Sequence, residues 1–109
     1  KPVDVVDLLK ASEDGPRPRM PRVEVSCVVF VREGAILHRS ILHNISQGGV
    51  SVETPNALAI GAHVTVTLPG LPPQEGTVRW NDGQRYGITF NNLLPLVVLV
   101  EWLHARRGA

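Results

Sequence analysis

From Val23 to Phe90 the chain is divided by turn residues into six short β-rich runs, with no stretch of helical period between them. That spacing restricts the fold to an all-β, antiparallel barrel or sandwich. Val23 to Val31 is dominated by β-branched residues, and Glu33-Gly34 turns it into a second run from Ala35 to Ile45. A third run follows Gly49 and stops at Pro55-Asn56. Leu58, Ile60, Val64, Val66 and Leu68 make the fourth, broken at Gly61 and closed by Pro69-Gly70. In the fifth, Glu75 to Trp80, alternation puts Gly76, Val78 and Trp80 on one face, so Trp80 is expected to pack inside. Asn81-Asp82-Gly83 is a tight turn into the sixth, Arg85 to Phe90.

Beyond Asn91-Asn92 the period changes to that of a helix. Pro95 suits a first turn, Leu96, Leu99, Val100 and Leu103 share one face, and His104, Arg106 and Arg107 complement the C-terminal end. The helix is expected to cap an open end of the barrel, or to set its apolar face against a second copy or another domain, which leaves monomer and homodimer both open. At 109 residues there is enough chain for one core and not for two. Lys1 to Lys10 has near-helical spacing of Val3, Val6 and Leu9, and Ser12 to Pro21 has the Gly, Pro and charge content of a linker. Residues 1–16 are therefore read as an arm and 17–109 as the domain.

Composition removes several functions. A net charge of +1 argues against a general nucleic-acid surface, although any basic site can still be local. Of the eleven basic residues only Lys1 and Lys10 are lysines, leaving nine arginines, the side chain suited to forked bonds with phosphate or guanine. Cys27 is the only cysteine, so no disulfide can form within the chain, and a small buried thiol in a cytoplasmic protein is expected. No leader-like stretch opens the chain, and its longest apolar run, Leu93 to Val100, is too short for a transmembrane helix. His38, His43, His63 and His104 are scattered, without metal-ligand spacing. There is no GxSxG nucleophile sequence and no Walker-type phosphate loop, so binding is favoured over catalysis and no metal is expected.

Polar side chains and glycines interrupt the β-rich pattern together at Asn44-Ile45-Ser46-Gln47-Gly48-Gly49. Two residues apart, Asn44 and Ser46 fall on one side of an extended backbone, and Gly48-Gly49 permits positive φ and close approach by a ligand. Such residues are also what turns are made of. Upstream, Arg17-Pro18-Arg19-Met20-Pro21-Arg22 brings three arginines to the start of the first strand. The two segments together resemble the PilZ domain, a bacterial module whose known role is binding cyclic di-GMP.

That family joins an RxxxR pattern before its barrel to a later [D/N]xSxxG, which Asn44, Ser46 and Gly49 match in full. With Arg22 as the second arginine, Pro18 stands at the first, flanked by Arg17 and Arg19. Arg85-Tyr86-Gly87-Ile88-Thr89-Phe90 is similar to the family's closing strand. The resemblance implies a six-stranded antiparallel β-barrel with a capping helix. It also implies a cyclic di-GMP site made of Arg17, Arg19, Arg22, Asn44, Ser46, Gly48 and Gly49, with the arm closing over the nucleotide and signalling to a partner protein. The alternative is a PilZ-like domain that has lost the nucleotide through the change at Pro18 and works by protein contact alone. Trp80 and Tyr86 are each either barrel packing or an aromatic face for a base, with packing favoured for Trp80. Arg79 and Arg85 flank the Asn81-Asp82-Gly83 turn, with a role near the site left open.

Overall fold

The computed structural model describes residues 21–107. Six strands run in the order β1 (Val23–Glu33), β2 (Ile36–Ser46), β3 (Gly49–Glu53), β4 (His63–Thr67), β5 (Gln74–Asp82) and β6 (Arg85–Phe90), followed by helix α1 (Leu96–Arg107). They close into an antiparallel barrel with neighbours β1-β2-β3-β6-β5-β4. Hairpins join β1 to β2, β2 to β3, β4 to β5 and β5 to β6, and the last seam is closed where Phe30–Arg32 pair with Thr65–Thr67. The predicted arm and short helix of residues 1–20, Arg17 and Arg19 included, lie outside the described residues.

Alternation writes the core. Val29 and Val31 of β1, Leu42 and Ile45 of β2, Val50 and Val52 of β3, Val64 and Val66 of β4, Val78 of β5 and Ile88 of β6 all point inward and are buried. Each contributes roughly 1.5–3 kcal/mol by leaving water. The fourth run is shorter than its sequence suggests. Leu58 is buried in the β3–β4 connection, whereas Ile60 is 59% exposed, and β4 itself begins only at His63. The link is held to the wall by Gly61 N donating to Val78 O at 2.8 Å and Val78 N donating to Ala62 O at 3.0 Å.

Three bulges break the alternation, and their positions matter. One lies in β1 between Glu24 and Cys27, one in β2 at His43 opposite β3, and one in β5 at Arg79 opposite β6. Because side chains alternate with period two, one extra residue sends everything after it to the opposite face. In β2 the inward set is His38, Ser40 and Leu42 before the bulge and Ile45 after it, so Asn44 and Ser46 point outward. In β5 the inward set is Gly76 and Val78, and the bulge turns Trp80 outward.

Helix α1 closes one end of the barrel with its predicted face. Leu99, Trp102 and Leu103 are buried in the same core as the strands, and Leu96 and Val100 pack against it. Trp102 Nε1 donates to Pro69 O at 2.8 Å, tying the helix to the β4–β5 loop. The Arg106 guanidinium stands 5.4 Å from the Trp102 ring centre, a cation–π distance. No helix among the described residues is long and apolar enough to cross a membrane.

Candidate functional site

The polar hexapeptide is mostly strand. Asn44 to Ser46 continue β2, Gly49 opens β3, and only Gln47-Gly48 form the loop between the paired residues Ser46 and Gly49. Arg22 directly precedes Val23, which pairs with Ile45, so the arginine is delivered beside the outward face of Asn44 and Ser46. Its Nη1 donates to Asn44 Oδ1 at 2.8 Å. Arg22, the last arginine of the first segment, therefore meets the polar motif. Ser46 is buried and holds the loop, its Oγ accepting from Gly48 N at 3.2 Å and donating to Gly49 O at 3.5 Å.

Neither Gly48 nor Gly49 has a positive φ, contrary to the freedom expected of them. Gly49 is required for a different reason. A Cβ there would sit 2.2 Å from Ile88 O, so the glycine lets the backbone of β6 approach β3.

A cleft of about 160 Å³ opens on this outer face, lined by Arg22, Ser46, Gly48, Gly49, Trp80 and Gly87, with Val50, Ile88 and Thr89 completing it. The strand register explains its shape. Glu24, Asn44, Ser51, Gly87 and Trp80 are successive partners across β1, β2, β3, β6 and β5, and side chains so paired share a face. Gly87 leaves this row bare, and the Trp80 ring fills the space: a Cβ on Gly87 would lie 2.0 Å from the indole Nε1. Trp80 is 39% exposed and outside the core, so the inward packing expected from alternation is overturned by the Arg79 bulge. Ser51 is buried in the same row, its Oγ without a partner among the described residues.

The sequence matches the PilZ domain over residues 16–102. The chain belongs to the PilZ domain family. Its fold is similar to that of PlzA of Borreliella burgdorferi in a crystal structure with c-di-GMP, at a TM-score of 0.57 and 14% identity, covering 94% of this chain and 43% of that one. The present chain thus spans less than half the length of the PlzA chain. Comparison with curated proteins gives no match.

In this PilZ domain the loop of the second motif is fastened to the root of helix α1. Leu94 N donates to Gln47 O at 2.8 Å, Gln47 Nε2 donates to Leu94 O at 3.0 Å, and Phe90 N donates to Gly48 O at 2.8 Å. Motif matching passes over Gln47, because its role depends on a partner 47 residues away.

The remaining polar residues of the PilZ barrel have other work. Tyr86 is buried among the inward residues of β6, which makes it packing, and Arg79 and Arg85 are exposed and do not line the cleft. His43 Nε2 and His63 Nε2 lie 2.7 and 2.6 Å from Glu53 and Glu75 carboxylate oxygens on the strand next to each. Among the described residues no three His, Cys, Asp or Glu side chains stand together as a metal site. Cys27 is half-buried against the core, and that burial pushes its thiol above its ordinary value of 9.0, with nearby Arg106 pulling the other way.

Proposed function

We propose that this PilZ domain is a receptor module for cyclic di-GMP, bound on the outer barrel face at Arg22, Asn44, Ser46, Gly48 and Gly49, with Arg17 and Arg19 added from the preceding segment. One observation carries the reading: the Arg22 to Asn44 contact of 2.8 Å, which brings a guanidinium to the polar motif on the rim of a cleft. The ligand has two phosphates and two guanines, and a forked cation beside an amide supplies what each requires. The guanidinium bonds phosphate oxygens or guanine O6 and N7, and the amide both donates and accepts on the purine edge. Membership of the family and the likeness to a PilZ protein crystallised with this nucleotide support the same ligand.

Arg22 is exposed, and its bond to Asn44 exchanges readily for a bond to a ligand. The preceding arginines close over the nucleotide when it is present, and that closure changes the surface a partner protein meets. The domain acts by binding, not by catalysis. A second reading rests on Pro18, which occupies the first arginine position of the family pattern: the domain is then a protein-contact module without nucleotide. Calorimetric titration of cyclic di-GMP into the full chain decides between them. Saturable heat at one class of site, lost in Arg22→Ala, supports the receptor. Absence of heat at low salt and high micromolar protein supports the contact module.

A further inference from the structure

The outer wall of β1 and β2 carries a pattern of hydrocarbon and cation that neither the cleft nor the helix uses. Val28, Phe30 and Arg32 face outward between the inward Val29 and Val31, and the register sets them against Ile41, Arg39 and Leu37. Side chains so paired stand about 5 Å apart at Cβ, so arginine and apolar residue alternate both along and across the two strands. Phe30 is 37% exposed and Leu37 54%. Neither Arg32 nor Arg39 forms an ion pair among the described residues. The carboxylates near them are already engaged: Glu53, opposite Ile41, is held by His43, and Glu75, reached from Arg32 through Thr65, is held by His63 and Thr65.

What fits such a wall is a segment that sets apolar side chains beside carboxylates, and the chain contains one. Val3-Asp4-Val5-Val6-Asp7-Leu8-Leu9 has five apolar residues, two aspartates and no basic residue. The 12 residues Lys10 to Pro21 join it to Arg22. From Arg22 to Phe30 is about 26 Å of strand, whereas a tether of that length spans up to about 40 Å when extended. We propose that Val3 to Leu9 dock on the β1–β2 wall of their own chain, apolar side chains over Phe30 and Leu37, with Asp4 and Asp7 meeting Arg32 and Arg39. The tether holds the segment at a local concentration on the order of millimolar, so a contact too weak to persist between separate chains still fills the wall. The docking does not depend on the nucleotide reading, because no residue of this wall lines the cleft.

The test is nuclear magnetic resonance on the full chain with a nitroxide attached at Ser12→Cys in a Cys27→Ser background, each variant checked for folding by thermal melting. Amides of Val28 to Arg32 and Leu37 to Ile41 should lose most of their intensity relative to the same chain with the label reduced. Asp4→Lys with Asp7→Lys should restore it, and so should Arg32→Glu with Arg39→Glu. Combining the two pairs should broaden the wall again, because the exchanged charges attract as the originals do. Full intensity on the wall in the parent would overturn the docking. So would broadening at Trp102 and the β4–β5 loop instead, which would seat the segment in the groove beside helix α1 lined by Leu71, Val98 and Arg106. Mixing isotope-enriched chain that lacks the nitroxide with spin-labelled chain that lacks the isotope isolates contacts between molecules. Broadening of equal size in that mixture would make a second copy the occupant and overturn docking within one chain.

Discussion

The Arg22 guanidinium meets Asn44 Oδ1 at 2.8 Å, joining two segments 22 residues apart on the outside of a closed barrel. An exposed contact of this kind adds at most about 1 kcal/mol to folding. Arg22→Ala and Asn44→Ala are therefore expected to unfold within a few degrees of the parent. Their cost should appear in cyclic di-GMP affinity, by about 5- to 150-fold for Arg22→Ala. Thermal melting beside calorimetry checks both halves, and a large melting shift with unchanged affinity would give the pair a structural role instead.

Gly49→Ala should cost folding stability directly. The new Cβ meets a backbone carbonyl, Ile88 O, at 2.2 Å, and a strand cannot yield as a flexible side chain does. Overpacking of this sort costs about 1–3 kcal/mol. For a domain of this size each kcal/mol lowers the melting temperature by about 4–8 °C, readable by circular dichroism. A melting point unchanged within one degree would contradict the close β3–β6 approach.

Trp102 separates packing from hydrogen bonding at the helix. Trp102→Ala empties a buried indole and should cost about 3–5 kcal/mol. Trp102→Phe keeps most of the volume but leaves Pro69 O without its donor, which should cost about 1–3 kcal/mol. Urea unfolding gives both values, and equal losses would mean that the bond to Pro69 carries no weight.

The Cys27 thiol gives a pH prediction. Its folded value is raised by burial, so the folded state holds the proton more tightly than the unfolded state does. The sign follows: the stability gained is complete below the ordinary thiol range and is lost as pH rises through the raised value. Iodoacetamide should label the folded chain at pH 8 more slowly than the chain in urea. Because Arg106 opposes the shift, Arg106→Gln should slow labelling further. Equal rates in the folded and unfolded chains would contradict the burial.

Strand number, the order of turns and the helix face were legible in the sequence because each rests on local spacing. Leu96, Leu99, Val100 and Leu103 all face the core, as their three- and four-residue intervals require. Asn44 and Ser46 were legible as a motif, yet their outward aim depends on the extra residue at His43, and no local pattern marks it. Without that residue they would continue the inward set of His38, Ser40 and Leu42. Trp80 shows the failure that follows when no motif compensates: simple alternation with Val78 sends it inward, and the bulge at Arg79 sends it out. Gly87 was legible only as part of a segment similar to the family's closing strand, because the ring seated on it comes from a residue displaced by that bulge.

The clasp between Gln47 and Leu94 makes the polar corner of the second motif and the C-terminal helix a single mechanical part. A chain shortened before Leu94 would strip the Gln47 carbonyl of its donor and the Gln47 amide of its acceptor at one stroke. Where such a domain is trimmed or fused, the helix root belongs with the barrel, even though every motif residue lies upstream of it.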